Sequence, residues 1–180
     1  ARIRPHFLFN TLNTALALVR SDPARAEAVL EDLADLFRQA LAGGDEAVAL
    51  GEEIALARRY LAIEQLRFGE RLRVDWQLDP AAAGARVPPL LLQPLVENAV
   101  RHGVEPSDSG ADIQVRTRRA GDTVTVTVAN SLPAGAGPAG HGVAQDNVRL
   151  RVALLHDVRC RFRAGRQDGR YEVVIELPAR

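Results

Sequence analysis

The sequence predicts an α+β protein in which a helical hairpin precedes an antiparallel-rich sheet with helices on one face. Apolar residues recur at helical spacing from 3 to 42, a third helical run spans Ile54 to Phe68, and from Leu72 onward the pattern switches to alternation. At 180 residues and 19.5 kDa the chain fits one domain with a helical appendage.

Ile3, Phe7, Leu12, Leu16 and Val19 mark the first helix, and Val29, Leu30, Leu33, Phe37 and Leu41 the second. Between them Ser21-Asp22-Pro23 supplies a cap followed by proline near the first helical position, so the two helices form a tight hairpin. A hairpin of about 40 residues buries too little to stand alone, which predicts pairing with a second copy as a four-helix bundle. Gly43-Gly44-Asp45 ends it, and Gly51-Glu52-Glu53 opens the third helix with acids where the helix dipole favours them.

After Gly69, Leu72, Val74 and Trp76 alternate with Arg73, Asp75 and Gln77 as a half-buried strand does. Ile113, Val115 and Thr117, then Val124, Val126 and Val128, repeat the pattern around a hairpin loop at Arg118 to Asp122. Val158 to Phe162 and Tyr171 to Leu177 form a last hairpin turning at Gly165 to Gly169. Two helices interrupt these strands: Pro89 to Arg101, largely apolar and so mostly buried, and Val143 to Leu155. Ser131 to His141 is a Gly/Pro/Ala loop with little to bury. The division is residues 1–48 for the hairpin and 49–180 for the layered domain.

Composition excludes several chemistries. Twenty-three basic residues balance 23 acidic ones, so no net field draws the chain to nucleic acid. All the basic residues are arginine, which rules out a catalytic Schiff base and a Walker-type lysine. The single Cys160 cannot form an internal disulfide, and His6, His102, His141 and His156 have no zinc-ligand spacing; a reducing, cytoplasmic setting is expected. No run approaches the ~18–20 apolar residues of a membrane span. The opening Ala1-Arg2-Ile3-Arg4-Pro5 reads as a cut through a longer polypeptide.

Three stretches carry chemistry. In Pro5-His6-Phe7-Leu8-Phe9-Asn10-Thr11-Leu12-Asn13, His6, Asn10 and Asn13 share one helical stripe. A solvent-reaching imidazole there can accept a phosphoryl group, with an amide four residues on to orient the ring; a surface histidine near a frayed terminus is the alternative, and the spacing alone favours it. In Gln93-Pro94-Leu95-Val96-Glu97-Asn98-Ala99-Val100-Arg101-His102-Gly103, polar groups on a buried helix need partners. An amide oxygen suits Mg²⁺ and Arg101 suits phosphate, outlining a metal–phosphate site; a Glu97–Arg101 ion pair is the plainer alternative. Gly140-His141-Gly142 leads from a loop into a helix, where glycines let backbone approach a polyphosphate; a simple turn is the alternative.

Together, PHFLFNTLN, the run from Val48-Ala49-Leu50-Gly51-Glu52-Glu53 through Tyr60-Leu61-Ala62-Ile63-Glu64 to Arg67-Phe68, the box VPPLLLQPLVENAVRHG, and GHGVAQDNVRLR resemble the LytS/YehU type of sensor histidine kinase, and within it the AlgZ/FimS-like branch. The resemblance covers nearly the whole chain, with the four motifs in family order. It implies a dimeric histidine-bearing hairpin for dimerisation and phosphotransfer, followed by an ATP-binding domain of the gyrase–Hsp90–kinase–MutL (Bergerat) fold. It implies a bacterial inner-membrane sensor region upstream, this chain being the cytoplasmic portion, and a response regulator whose receiver-domain aspartate takes the phosphate.

By the same resemblance His6 is the phosphoacceptor, Asn98 the Mg²⁺-binding asparagine and Glu97 a polarising carboxylate. Arg101 and His102 are phosphate-side contacts, Gly140, His141 and Gly142 belong to the glycine box, and Ser131 to His141 is the ATP lid. The chain departs from the common histidine kinase pattern twice. Phe7 follows the histidine where many kinases place an acid, leaving Asn10 to orient His6. Ala129-Asn130-Ser131-Leu132-Pro133 stands where an Asp-x-Gly-x-Gly box holds adenine, so Asn130 takes the aspartate's place without its charge. That replacement is what favours a second expectation, a degenerate kinase acting as a dimeric signalling or phosphorelay scaffold.

Overall fold

The computed structural model describes residues 5–41, 47–133 and 160–179. The hairpin forms as expected, with α1 over Pro5–Leu18 and α2 over Pro23–Leu41. Asp22 caps α2, its Oδ1 accepting the Arg25 N–H at 3.1 Å, and Pro23 takes the first helical position. Along α1, Phe7, Thr11 and Ala15 are buried, and the Thr11 hydroxyl donates to the Phe7 carbonyl at 2.7 Å.

A two-residue strand, β1 (Val48–Ala49), leads into α3 (Leu50–Phe68) and pairs with β3 (Arg86–Val87). Helix α3 begins four residues before Ile54, because the glutamates at 52 and 53 extend its first turn toward Leu50. It buries Leu50, Ile54, Ala57, Tyr60, Leu61 and Ile63.

The main sheet runs β2-β4-β5-β7-β6, from β2 (Leu72–Gln77), β4 (Ala111–Ala120), β5 (Thr123–Ser131), β6 (Arg161–Gln167) and β7 (Arg170–Pro178). Only β2 and β4 are parallel; the other neighbours are antiparallel. The register places Ile113 opposite Asn130, Val115 opposite Val128, and Val126 opposite Ile175. Ile113, Val115, Val126, Val173, Ile175 and Leu177 join the α3 residues in one core. The other face is polar, with Arg73 and Asp112 paired at 2.6 Å across β2 and β4.

Both hairpin turns are tighter than the sequence suggests. Between β4 and β5 only Gly121 and Asp122 turn, with Gly121 at φ 60°. Between β6 and β7 the turn is Asp168-Gly169, both left-handed at φ 51° and 73°, so β6 runs straight through Gly165. Two left-handed residues match the twist of paired strands, and Asp-Gly is the pair that adopts them most readily. Cys160 precedes β6 instead of lying within it; it packs half-buried on the core, and burial pushes its thiol up to about 11.

The helix expected over Pro89 to Arg101 is shorter at its start and longer at its end. It begins as α4 (Gln93–Ala99) and continues as a π-helical turn over Val100–Val104. The preceding Leu90 is in the left-handed region at φ 58°, and the Leu90 and Leu92 amides are held by a distant carboxylate, so no helix forms before Gln93. The helix expected at Val143 to Leu155, His156 and the strand start at Val158 lie outside the described residues.

Candidate functional site

Helix α4 and its π turn carry four of the expected site residues. Asn98 is half-buried and Glu97 likewise, while Arg101 and His102 are exposed on the π turn. Glu97 accepts a hydrogen bond from Gln93 Nε2 at 3.0 Å, one helical turn back. The two basic residues sit in the last turn of the segment, where the helix dipole favours positive charge.

Asn130 joins this group from below. It lies on the core-facing side of β5, 2% exposed, and its Nδ2 donates to the Ser131 carbonyl at 2.9 Å. Gly103 of the π turn rests directly on it: a Cβ there would stand 2.8 Å from Asn130 Nδ2, 3.1 Å from the Ser131 carbonyl oxygen and 3.3 Å from Ala111 Cβ. Glycine is therefore what allows α4 to close onto the sheet beside Asn130.

His6 and Asn10 are in α1, His6 in its first turn and Asn10 half-buried four residues on. The next residue, Phe7, ties this turn to the layered domain, its ring 5.0 Å from that of Tyr60 on α3. One turn further along α3 is Glu64. The structure thus carries Glu97, Asn98, Arg101 and His102 on one segment, seats Gly103 of that segment on Asn130, and joins the His6 turn to α3 through Phe7 and Tyr60. Gly140, His141, Gly142 and the loop beyond Pro133 lie outside the described residues.

Three residues of this neighbourhood carry no local sequence signal. Glu53 is 4% exposed on the first turn of α3 and accepts from Leu90 N–H at 2.8 Å and Leu92 N–H at 3.1 Å. Burial raises its pKa, offset by those amide bonds and one from Leu91. Glu64, 2% exposed, has its carboxyl pushed up to about 7 by burial, with Arg67 pulling down and Glu105 and Glu97 pushing up. Arg67 Nη2 stands 3.7 Å from Glu64 and 2.9 Å from Glu105. Arg71 reaches carbonyls at the far end of the α4 segment. Their partners are more than 30 residues away, except for Arg67, so only the fold brings them together.

The donor set suits a hard divalent cation with a phosphate ligand. Among the described residues no group of three or more His, Cys, Asp or Glu side chains forms a metal cage. A half-exposed amide oxygen at Asn98 beside an exposed Arg101 fits Mg²⁺, which takes few protein ligands and keeps waters and phosphate oxygens.

A helical hairpin with a histidine in its first turn, joined to a helix-covered mixed sheet, defines a class of protein, and the comparisons agree: the chain belongs to the histidine kinase family, described as Histidine kinase, which matches residues 1–72. Its homologues are sensor histidine kinases of the LytS type. It is 33% identical to the sensor protein LytS of Staphylococcus haemolyticus over 83% of this chain and 24% of that protein. It is 30% identical to the sensor histidine kinase YesM of Bacillus subtilis over 100% of this chain and 32% of that one. The chain thus spans a quarter to a third of the length of these curated relatives. The fold is that of the histidine kinase domain from the blue-light activated kinase of Erythrobacter litoralis, with a TM-score of 0.54 at 19% identity, covering 98% of this chain and 96% of that one.

Proposed function

We propose that this chain is the cytoplasmic kinase portion of a two-component sensor histidine kinase, which binds ATP with Mg²⁺, phosphorylates His6 and passes the phosphate to an aspartate of a response regulator. The observation that supports this is the packing of the α4 segment on β5: Gly103, which follows Arg101 and His102 on the segment that carries Asn98, rests on Asn130 of the central strand. Residues 1–48 are the dimerisation and phosphotransfer unit and 49–180 the ATP-binding domain. A sensor region outside this chain anchors it to the membrane.

When bound, ATP with Mg²⁺ supplies the transferable γ-phosphoryl group. Asn98 offers its amide oxygen to the cation, with Glu97 beside it polarising that ligand. Arg101 and His102 would neutralise phosphate charge, and Gly140, His141 and Gly142 are the glycine-box residues that the resemblance assigns to the phosphates. Asn130 meets the adenine. On α1, Asn10 would orient the His6 ring as phosphoryl acceptor. Phosphoryl transfer asks mostly for positioning and charge neutralisation, which a metal-holding amide and an arginine provide.

The hairpin supports a second copy as partner. Phe9, Leu12, Leu16 and Val19 form an exposed stripe along α1, Phe9 at 64% and Leu16 at 70%. An open groove of about 460 Å³ lined by Val19, Pro23, Ala26, Glu27, Leu30, Glu31 and Ala34 continues it onto α2. Apolar surface of this kind on two helices is satisfied by two more helices of the same sequence.

The test is incubation with γ-labelled ATP and Mg²⁺ beside His6→Gln and Asn98→Ala. Acid-labile, base-stable label that disappears in both variants is the expected result. A dimer that takes no label supports the second reading, a degenerate kinase serving as scaffold. Asn130 favours that reading, since it offers the adenine amino group a neutral amide oxygen in place of a carboxylate and so no charge-assisted bond.

A further inference from the structure

A helix begins with unpaired N–H groups and ends with unpaired carbonyls, and a seven-residue helix has too little of its own stability to hold its place. The α4 segment receives a charge of the matching sign at each end. Before its start, the Glu53 carboxylate takes the Leu90 amide on Oε1 at 2.8 Å and the Leu92 amide on Oε2 at 3.1 Å. These bonds hold Leu90 in a left-handed conformation that a leucine rarely adopts. After its end, the Arg71 guanidinium donates to the Val104 carbonyl at 3.1 Å and through Nη2 and Nε to the Ser107 carbonyl at 2.7 and 3.2 Å.

The two charges flank one helix. Glu53 lies in the first turn of α3, and Arg71 closes the 3-10 turn, Gly69–Arg71, that follows its last residue. A buried carboxylate is costly to desolvate, so its retention at a spot where an apolar side chain packs more cheaply calls for a geometric reason. Asn98 lies between the two ends, and a metal-holding amide has to be placed within a fraction of an ångström.

We propose that Glu53 and Arg71 are positioning residues for the metal–nucleotide site, clamping the two ends of the α4 segment to α3 and so fixing where Asn98 presents its oxygen. The proposal rests on the reading of Asn98 as the Mg²⁺-binding amide given above.

The experiment compares the whole chain with Glu53→Gln, the isosteric loss of charge, Arg71→Lys, which keeps the charge but not the fork, and Glu52→Gln as an exposed neighbour. Amide hydrogen exchange reads the clamp, and binding of a fluorescent ATP analogue with and without Mg²⁺ reads its purpose. Glu53→Gln and Arg71→Lys are expected to speed exchange over 90–104 by about tenfold or more while 113–128 keeps its protection. The same variants are expected to lose about tenfold of the affinity that Mg²⁺ adds, with metal-free binding nearly unchanged, as outlying partners of metal ligands do. Glu52→Gln is expected to match the parent.

Unchanged exchange at 90–104 overturns the clamp, as does a loss of protection spread equally over the sheet. Faster exchange with the Mg²⁺ gain intact overturns the positioning role. If the parent chain gains nothing from Mg²⁺, the assignment of Asn98 fails and takes the metal purpose with it, whereas the exchange data alone then decide whether the clamp exists.

Discussion

On α1, Phe9 and Leu16 stand 64% and 70% exposed, whereas in the sheet Ile113, Val115 and Ile175 are fully buried. The two regions use similar apolar residues for different ends. In the layered domain β2 packs on α3 and β5 on α4, and the buried residues of β4, β5 and β7 join those helices in one core. In the hairpin one stripe of α1, through Phe7 and Ala15, is buried, while the stripe through Phe9, Leu12, Leu16 and Val19 is left facing outward. If the proposed dimer forms through the hairpin, stability resides in one region and association in the other, and the two should respond to different substitutions.

The largest expected effect is on association. Phe9→Asp with Leu16→Asp places two charges on the exposed stripe of each copy and should weaken self-association at least about 1,000-fold, leaving the melting of the layered domain unchanged. Sedimentation over a concentration series checks this, and an undiminished dimer would remove α1 from the interface. Next, Ile113→Ala empties the centre of the sheet and should cost about 4 kcal/mol in urea unfolding with self-association preserved. Loss of both together would merge the two regions into one cooperative unit.

A subtler division concerns pH. The folded Glu64 carboxyl titrates at about 7 instead of 4.5, facing Arg67, Glu105 and Glu97. Its folded state holds the proton more tightly, so the stability it contributes is complete below about 4.5 and is lost as pH rises through about 7. Glu64→Gln should flatten that decline and make the protein more stable at pH 8 by up to about 3 kcal/mol. Urea midpoints at pH 5 and pH 8 test it, and a parent whose stability rises over that interval contradicts it. The smallest effect is Asp22→Ala, which removes the α2 cap and should cost about 1 kcal/mol, read as lost helicity confined to the hairpin.

What the sequence made legible was set by local pattern. Asp22-Pro23 stopped and restarted a helix, Leu72-Val74-Trp76 alternated, and Asp168-Gly169 contained its own turn chemistry, though a wider turn was expected because Gly165 drew the boundary outward. The asparagine helix was recognisable from Gln93 to Arg101, but its start was misjudged because the residue that ends the preceding turn, Glu53, is 37 positions from Leu90. As a glutamate in a first helical turn it looked like an ordinary partner of the helix dipole. Glu64 looked like one polar residue among many on α3, and only its burial in the fold, with Glu105 and Glu97 drawn near it, makes it unusual. The β1–β3 ladder, two residues on each side, is too short to leave any periodicity.

The π turn at Val100–Val104 has a consequence for length. There the Glu105 amide bonds the Val100 carbonyl, five residues back, at 3.0 Å, which lodges one residue more than an α-helical turn holds. Removing a single residue between 100 and 104 would let the helix run on regularly, rotating everything after it by roughly 100° and carrying Gly103 off Asn130. Substitutions at the exposed Arg101 and His102 leave that geometry in place, so this stretch should accept changes of letter and refuse changes of count.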